Sequence, residues 1–235
     1  MCGIAGYISI KSNLITDQSF GESLDMMAHR GPDARGVWSD DLAYLGNRRL
    51  SIIDLSGGNQ PMEDETKRYV ITFNGAIYNF KELRTELESQ GAKFHTRSDT
   101  EVILESFKLF GFSCVNKFNG MFAFAIWDRK KQTLFAARDR IGVKPFYFSH
   151  RNSQFTFASE IKSIISMPVQ EQKLDWNGFA YYLSFGYIPS PHSIFENMRK
   201  LLPGQFLTYS PQLDKLHIET YWSLPSISDH ECTKE

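Results

Sequence analysis

The sequence lacks the features that mark membrane and secreted proteins. It contains no run of about eighteen apolar residues, the length that a membrane-spanning helix needs. Its N-terminus has no basic segment, and Gly6 and Ser9 interrupt the short apolar stretch at residues 4–10. A secretory signal peptide requires both a basic segment and an uninterrupted apolar core. We therefore expect neither a membrane span nor a signal peptide.

The sequence also has almost no net charge and few cysteines. Its 26 basic and 27 acidic residues leave a formal net charge of -1, which gives no reason to expect nucleic acid or an anionic membrane as a partner. The three cysteines, Cys2, Cys114 and Cys232, cannot all pair in one chain, and their spacing is not that of a metal site. We expect a cytoplasmic protein without a bound metal.

The composition is that of a folded protein with a large core, since 42% of the residues are hydrophobic and 14% are aromatic. Residues 121–127 form a continuous apolar run with aromatic side chains, which predicts a strand covered on both faces. Together with the helices described next, the strands indicate stacked layers of sheets and helices. Further strands are predicted at residues 2–10, 43–48, 69–73, 133–137, 146–148, 155–158, 206–209 and 216–221.

Helices are predicted between these strands. One covers residues 17–30 and ends before the Gly-Pro pair at 31–32. A second carries Phe80, Leu83 and Leu87 on one face and stops at Gly91. A third begins at Ser98, where S-D-T-E has the form of a capping box. Two more begin at residues 159 and 175.

Cys2 is the most informative single position. When the initiator methionine is removed before a small residue, Cys2 becomes the N-terminal residue and carries a free α-amino group. Such an amine has an ordinary pKa of about 7.7–8.0 and a cysteine thiol one of about 8.5, so one residue supplies both a nucleophile and its base. Taken alone, a Met-Cys start more often reflects a small buried cysteine in an edge strand.

Eight short motifs follow one another along the chain. They are M-C-G-I-A-G at 1–6, H-R-G-P-D at 29–33, R-L-S-I-I-D at 49–54, N-G-A-I-Y-N at 74–79, S-D-T-E-V at 98–102, G-M-F-A-F at 120–124, A-R-D-R-I-G at 137–142 and F-A-S-E at 157–160. Each is weak alone. In this order the series resembles the class II glutamine amidotransferase domain of glutamine-dependent asparagine synthetases, over residues 1–222.

The resemblance implies a fold and a reaction. The fold is α+β, an N-terminal nucleophile (Ntn) hydrolase-like four-layer αββα sandwich of two antiparallel sheets. The reaction is hydrolysis of glutamine to glutamate and ammonia through a cysteine thioester, with the ammonia passing to an ATP-dependent synthetase domain. Residues 223–235 are then expected to be a linker toward that domain. No cofactor is expected in this chain, because ATP and magnesium would bind only the synthetase domain.

The resemblance also implies roles for five residues. Cys2 would be the nucleophile, and the Asn74 side-chain amide and the Gly75 backbone N–H would stabilise the oxyanion. Arg49 would bind the α-carboxylate of glutamine and Asp99 its α-ammonium. Each also has an ordinary explanation: Asn74-Gly75 is a common turn dipeptide, Asp99 suits a helix start, and an arginine is usually a solvated surface charge.

Two positions depart from the family pattern. Ala76 stands where relatives usually have an acidic residue that helps to bind the substrate amino group. Because charged hydrogen bonds contribute about 1.5–3 kcal/mol each, we expect glutamine binding to be weaker by about ten- to a hundredfold. Asn47 stands where many relatives have histidine, and we expect it behind the residues that contact substrate.

Alternatives remain open at this stage. The domain could bind glutamine or support its neighbour with little turnover, because of Ala76. It could instead belong to an amidotransferase branch that makes phosphoribosylamine or glucosamine phosphate, although the motifs at 29–33 and 49–54 fit the asparagine synthetase branch better. The S-G-G at 56–58 lacks the Asp-Ser of a nucleotide-binding loop, so we expect no nucleotide there. The ammonia acceptor and the oligomeric state are undetermined, and a homodimer is one option.

Overall fold

The structure is a computed structural model that describes residues 1–10, 14–50, 57–168 and 171–225. Its strands form two six-stranded sheets in which all neighbouring strands are antiparallel. The strands are β1 (Gly3–Ser9), β2 (Ala34–Ser39), β3 (Ala43–Arg49), β4 (Met62–Glu63), β5 (Tyr69–Ile77), β6 (Gly120–Asp128), β7 (Thr133–Arg138), β8 (Tyr147–Arg151), β9 (Gln154–Ala158), β10 (Met198–Lys200), β11 (Gln205–Ser210) and β12 (Lys215–Thr220). The first sheet has the order β10-β8-β9-β1-β3-β2 and the second β12-β11-β7-β6-β5-β4.

Helices cover the outer face of each sheet. The α-helices are α1 (Asp17–Asp25), α2 (Phe80–Ser89), α3 (Asp99–Phe110), α4 (Ile161–Ile165) and α5 (Trp176–Phe185), and a 3-10 helix spans Gly111–Lys117. Phe20 and Leu24 of α1 and Ile164 of α4 pack with Ala5 and Tyr7 on the outer face of the first sheet. Helices α2 and α3 pack in the same way against the second sheet. The four-layer αββα sandwich expected from the resemblance is confirmed.

Strand β6 shows how the sequence produces this layering. Side chains alternate between the two faces of a strand. Ala123, Ala125 and Trp127 of β6 belong to the core between the sheets. The intervening residues, Phe122, Phe124 and Ile126, belong to the core under the helices. The continuous apolar run at 121–127 therefore is a strand buried on both faces, as predicted.

Two predicted helix features differ in the structure. Helix α1 ends at Asp25, and residues 26–30 continue as turns in which Met27, Ala28 and Arg30 donate to the carbonyls three residues earlier. Helix α3 has Ser98 as its N-cap, but the reciprocal half of the capping box does not form. The Glu101 carboxylate instead accepts from the backbone N–H groups of His95 and Thr96, at 2.8 and 2.7 Å.

Three strands were not predicted: β2, β4 and β10. Strand β2 lies at an edge of the first sheet, and its residues alternate between half-buried and exposed, so it has no buried residue to give the sequence a clear strand pattern. No helix among the described residues is long and apolar enough to cross a membrane. Cys232 and most of the expected linker, residues 226–235, lie outside the described residues.

Candidate active site

The six residues singled out from the sequence line one cavity of about 260 Å³. They come from four separate places in the chain: the N-terminal segment before β1, the end of β3, the end of β5 and the start of α3. A cavity of this volume is slightly below the range of about 300–1,000 Å³ found for most ligand pockets, and it suits a ligand the size of an amino acid. The six are Cys2, Arg49, Asn74, Gly75, Ala76 and Asp99.

Cys2 lies at the cavity with its side chain partly exposed. Its Sγ atom is 3.4 Å from the Leu50 backbone nitrogen, which donates to it, and 3.7 Å from the Leu50 carbonyl oxygen. Its own carbonyl oxygen accepts from Arg30 Nε at 3.0 Å. Two elements far apart in the chain therefore hold the sulfur and the backbone of Cys2 in place.

Arg30 is itself held by a group of charges behind Cys2. Glu160 accepts from Arg30 at 3.0 Å, from His29 at 2.9 Å and lies 3.1 Å from the ammonium of Lys162. Burial alone would raise the pKa of Glu160, but these hydrogen bonds outweigh it and hold the pKa below the ordinary value. The motifs at 29–33 and 157–160 thus meet at one ion-pair cluster that supports the N-terminal segment.

Asn74 is completely buried in β5. Its Nδ2 donates to Ser159 Oγ at a long 3.5 Å, and its Oδ1 has no partner among the described residues. Ser159 Oγ also accepts from the Ile4 backbone nitrogen at 3.0 Å. Ser159 therefore links the strand of Asn74 to the strand that follows Cys2.

Gly75 and Ala76 follow Asn74 in the strand register and pair with Phe122 and Met121 of β6. A Cβ atom on Gly75 would lie 2.1 Å from the Met121 carbonyl oxygen and 2.8 Å from the Phe122 Cα. Only glycine therefore fits at position 75 without displacing β6. Ala76 has no such restriction, and it lines the cavity without a polar side chain.

Arg49 is the last residue of β3 and only 6% exposed, so it is not a solvated surface charge. One of its guanidinium nitrogens, Nη1, donates to Asn59 Oδ1 at 3.2 Å. Gly58, from the S-G-G sequence, also lines the cavity. In the described part of that loop, Asn59 thus contacts the arginine of the cavity, while Leu55 and Ser56 lie outside the described residues.

Asp99 is the first residue of α3 and is 4% exposed. Its Oδ2 accepts from the Ile77 backbone nitrogen at 3.1 Å, which ties the helix start to the end of β5. Burial raises the pKa of Asp99 above its ordinary value, although hydrogen bonds from the backbone of Ile77, Asp99 and Thr100 oppose the shift. Asp99 is the one carboxylate among the described residues that line the cavity.

Asn47 lies outside the cavity lining and is completely buried. Its Nδ2 donates to Gln60 Oε1 at 3.0 Å and to the Phe73 carbonyl at 3.2 Å. Gln60 Oε1 also accepts from the Phe73 backbone nitrogen, at 2.6 Å. Asn47 therefore fixes the position of Gln60, which does line the cavity, and of the residue before Asn74.

The sequence analysis assigned no role at the cavity to four polar residues that line it, namely Gln60, Ser98, Thr100 and Lys144. Gln60 donates to Thr100 Oγ1 at 3.3 Å and so joins the loop to α3. Lys144 is 3% exposed and lies two residues after the last residue of the motif at 137–142. The sequence signal for Lys144 was its place next to one of the eight motifs. It lies two residues after the motif Gly142 and before a proline, and it is part of no apolar pattern.

Comparison with known proteins identifies the family. Residues 1–222 match the family described as the glutamine amidotransferase domain. The chain belongs to this family. Among its relatives are asparagine synthetase [glutamine-hydrolyzing] 3 of Bacillus subtilis, 40% identical over 96% of this chain, and asparagine synthetase [glutamine-hydrolyzing] 1 of the same organism, 38% identical over 94%. A putative asparagine synthetase [glutamine-hydrolyzing] 2 of Methanocaldococcus jannaschii is 40% identical over 96% of the chain.

The amidotransferase domain spans only part of these relatives, namely 37%, 35% and 47% of their lengths. Its fold is also found in the glutamine phosphoribosylpyrophosphate amidotransferase of B. subtilis, with a TM-score of 0.68. That match covers 94% of this chain and 49% of the other, at 19% identity. The structural likeness therefore concerns the fold, while the sequence relatives lie in the asparagine synthetase branch.

Proposed function

We propose that this domain hydrolyses glutamine to glutamate and ammonia, with Cys2 as the nucleophile once Met1 has been removed. The observation that carries the proposal is the single cavity in which Cys2 meets Asn74, Gly75, Arg49 and Asp99. A thiol, candidate oxyanion donors, a guanidinium and a carboxylate are the groups that an amide-hydrolysing site for an amino acid requires.

The reaction follows from these groups. The α-amino group of Cys2 takes the thiol proton, and the thiolate attacks the side-chain amide carbon of glutamine to form a C–S bond. The tetrahedral intermediate places its negative charge on the former carbonyl oxygen. When the intermediate collapses, the C–N bond breaks and the α-ammonium returns its proton to the leaving ammonia. Water then hydrolyses the thioester, which releases glutamate and the free thiol.

The surroundings of Asn74 support its role as an oxyanion donor. A half-turn of the amide exchanges its oxygen and nitrogen, so that the Ser159 hydroxyl donates to Oδ1 while still accepting from Ile4. The Asn74 nitrogen then occupies the position of the atom that now has no partner. In that orientation it is an unused donor available to a developing oxyanion.

The two charged ends of glutamine would be bound separately. Arg49 is buried beside the cavity and presents a planar guanidinium, which suits the α-carboxylate. Asp99 supplies a carboxylate for the α-ammonium, with its second oxygen committed to Ile77. Ala76 adds nothing to this end, and the missing charge is the reason to expect weak binding.

Removal of Met1 is part of the proposal. Met1 lines the cavity beside Cys2 and is 56% exposed. While it remains, the nitrogen of Cys2 is an amide that cannot accept the thiol proton, and the methionine side chain occupies space near the nucleophile. Intact-mass measurement on the purified protein determines whether it is removed.

The ammonia would supply an asparagine-synthetase-type ligase. The relatives are named glutamine-hydrolysing asparagine synthetases, and each has much more chain than this domain. We infer that their additional part performs the ATP-dependent step, so that no cofactor is needed at the Cys2 cavity. A free nucleophilic thiol also fits the reducing cytoplasm. A homodimer stays a prediction.

A second candidate function is glutamine binding with little turnover. The observation that favours it is Ala76, which leaves Asp99 as the one carboxylate among the described lining residues. Calorimetric titration of glutamine into the wild-type protein distinguishes the two functions when it is combined with a glutamate-release assay. Binding without release supports the second function.

The direct test of the proposed reaction is Cys2→Ala. Glutamate release from glutamine should fall to background, because no other described residue offers a thiol at the cavity. Cys114→Ala is the matched control: Cys114 is completely buried under the helices, burial raises the pKa of its thiol, and its loss should leave the rate unchanged. A Cys2→Ala variant that retains the wild-type rate contradicts the proposal.

A further inference from the structure

Lys144 is a buried cation in the wall of the cavity that the proposed reaction does not use. It is 3% exposed and lies in the lining with Cys2 and Asn74. Lysine is rarely buried to this extent, because its ammonium loses hydration unless something compensates. A buried lysine that lines a reaction cavity therefore calls for a functional explanation.

The backbone of Lys144 is held rigidly. Asp139, which is completely buried, accepts from the backbone nitrogens of Val143 at 2.8 Å and of Lys144 at 2.9 Å. The same carboxylate accepts from the Phe122 nitrogen at 3.1 Å, and Phe122 pairs with Gly75. The Lys144 carbonyl accepts from Arg138 Nε at 2.7 Å. Lys144 is thus fixed relative to the strand that pairs with Asn74 and Gly75.

The cavity is lined by side chains of both charges. The described lining residues include two cations, Arg49 and Lys144, and one carboxylate, Asp99. Burial lowers the pKa of Lys144, and the positive charge of Arg30 lowers it further. Cys2 and Asp139 act in the opposite direction and raise it, and Lys144 lines the same cavity as Cys2.

We propose that Lys144 stabilises the Cys2 thiolate through its positive charge. The inference rests on the proposed function, in which that thiolate is the nucleophile. Lys144 remains protonated throughout: the thiol proton goes to the Cys2 α-amino group, and the lysine contributes only its field. With an uncharged Ala76, no second carboxylate faces this field across the described lining.

The same field acts on the other charged groups near Cys2. Among the described residues these are its own α-amino group, Arg30 on the loop after α1, Arg49 at the end of β3 and Asp99 at the start of α3. Behind Arg30 lie His29, Glu160 and Lys162, and behind Lys144 lies Asp139. A pH profile of Cys2 therefore has to be compared between variants that differ at Lys144 alone.

The test is the pH dependence of Cys2 alkylation by iodoacetamide, measured on the N-terminal peptide by mass spectrometry. Lys144→Met removes the charge and keeps most of the stem, whereas Lys144→Arg keeps the charge. A nearby opposite charge typically moves a titration by about one to three units. We expect Lys144→Met to raise the alkylation midpoint by about one unit and to lower kcat about tenfold, with little change in KM. Lys144→Arg should resemble the wild type.

Controls separate charge from structure. Lys173→Met makes the same substitution at an exposed lysine that pairs with Glu196, and it should leave the midpoint unchanged. Thermal unfolding of all variants reports any general loss of structure. The proposal is overturned if Lys144→Met keeps the wild-type midpoint, or if Lys144→Arg changes it as much as Lys144→Met does.

A measurement on the wild type needs no variant. A positive field at Cys2 should make alkylation by the anion iodoacetate faster, relative to neutral iodoacetamide, than for free cysteine, and salt should reduce this preference. An unchanged ratio overturns the proposal. Alkylation requires no glutamine, so it tests the role of Lys144 even if the protein releases no glutamate. An absence of glutamate release would contradict the proposed function and not the role of Lys144.

Discussion

The two ends of the cavity differ in how the fold constrains them. At the end proposed to attack glutamine, Asn74 is fully buried and Gly75 lies against β6, where any larger residue would meet the Met121 carbonyl. At the end proposed for the amino group of glutamine, Asp99 is tied to Ile77, whereas Ala76 only lines the cavity. Asn74 and Gly75 therefore have a structural role in the packing of the strands in addition to the catalytic role proposed for them.

This difference explains which change the domain tolerates. Replacing Gly75 would displace a strand in the centre of the second sheet, so stability as well as reaction rate depends on it. Replacing an acidic residue at position 76 by alanine removes one charge from the cavity and leaves the β5–β6 pairing intact. Affinity for substrate can therefore decline while the fold and the attacking groups are retained.

The largest expected effect concerns the attacking end. Asn74→Ala should lower kcat for glutamate release by about a hundred- to a thousandfold, because one oxyanion donor is lost, and KM should change little. Steady-state kinetics measure both. The matched control is Asn47→Ala, because Asn47 is an equally buried asparagine that lies outside the cavity lining. This variant should lower the unfolding temperature and change kcat little. Equal kcat losses in the two variants would remove the distinction between them.

A smaller effect is expected at the amino-group end. Ala76→Glu should lower the KM for glutamine by about ten- to a hundredfold, because the added carboxylate forms a charged hydrogen bond with the α-ammonium. The kcat should stay within a fewfold of the wild type. Ala76→Gln has the same size without the charge and should not lower KM. If Ala76→Gln lowers KM as much as Ala76→Glu does, the size of the side chain at position 76 limits binding, and its charge does not.

The sequence predicted which residues line the cavity better than it predicted the contacts that position them. Eight motifs in order identified six residues, and all six line one cavity because the motifs sit at strand ends and at a helix start that the fold brings together. The alternation of β6 between two cores was likewise accessible, because a strand with two apolar faces leaves a continuous apolar run.

The polar contacts of Glu101 and Lys144 were not accessible in this way. Glu101 was expected to complete a capping box at Ser98. Its carboxylate instead accepts from the backbone N–H groups of His95 and Thr96, which lie in the loop before α3. Lys144 lies at the cavity because Asp139 binds its backbone and that of β6, a contact that no local pattern records. The position of Lys144 depends on how separate segments meet, which spacing along the chain does not encode.

The smallest expected effect is a pH dependence at the amino-group end. Burial raises the pKa of Asp99 above its ordinary 3.8, so its carboxylate becomes protonated at a higher pH than an exposed aspartate does. A protonated Asp99 no longer attracts the α-ammonium, and KM for glutamine should therefore begin to rise at a higher pH, as the solution is acidified, than an exposed aspartate would give. The kcat at saturating glutamine should change less than KM on acidification, after correction for the titration of the nucleophile.

Asp99→Asn separates binding from folding at this position. An asparagine oxygen can still accept from the Ile77 nitrogen, but KM should be high at every pH and should lose the acid dependence. Because the folded-state pKa of Asp99 is raised, its protonation stabilises the folded state at low pH, and that stabilisation is lost as the pH rises through the raised pKa. At neutral pH the variant should therefore unfold at the same temperature as the wild type or higher. A lower unfolding temperature, with KM unchanged, would mean that Asp99 serves the junction of β5 and α3 and not the substrate.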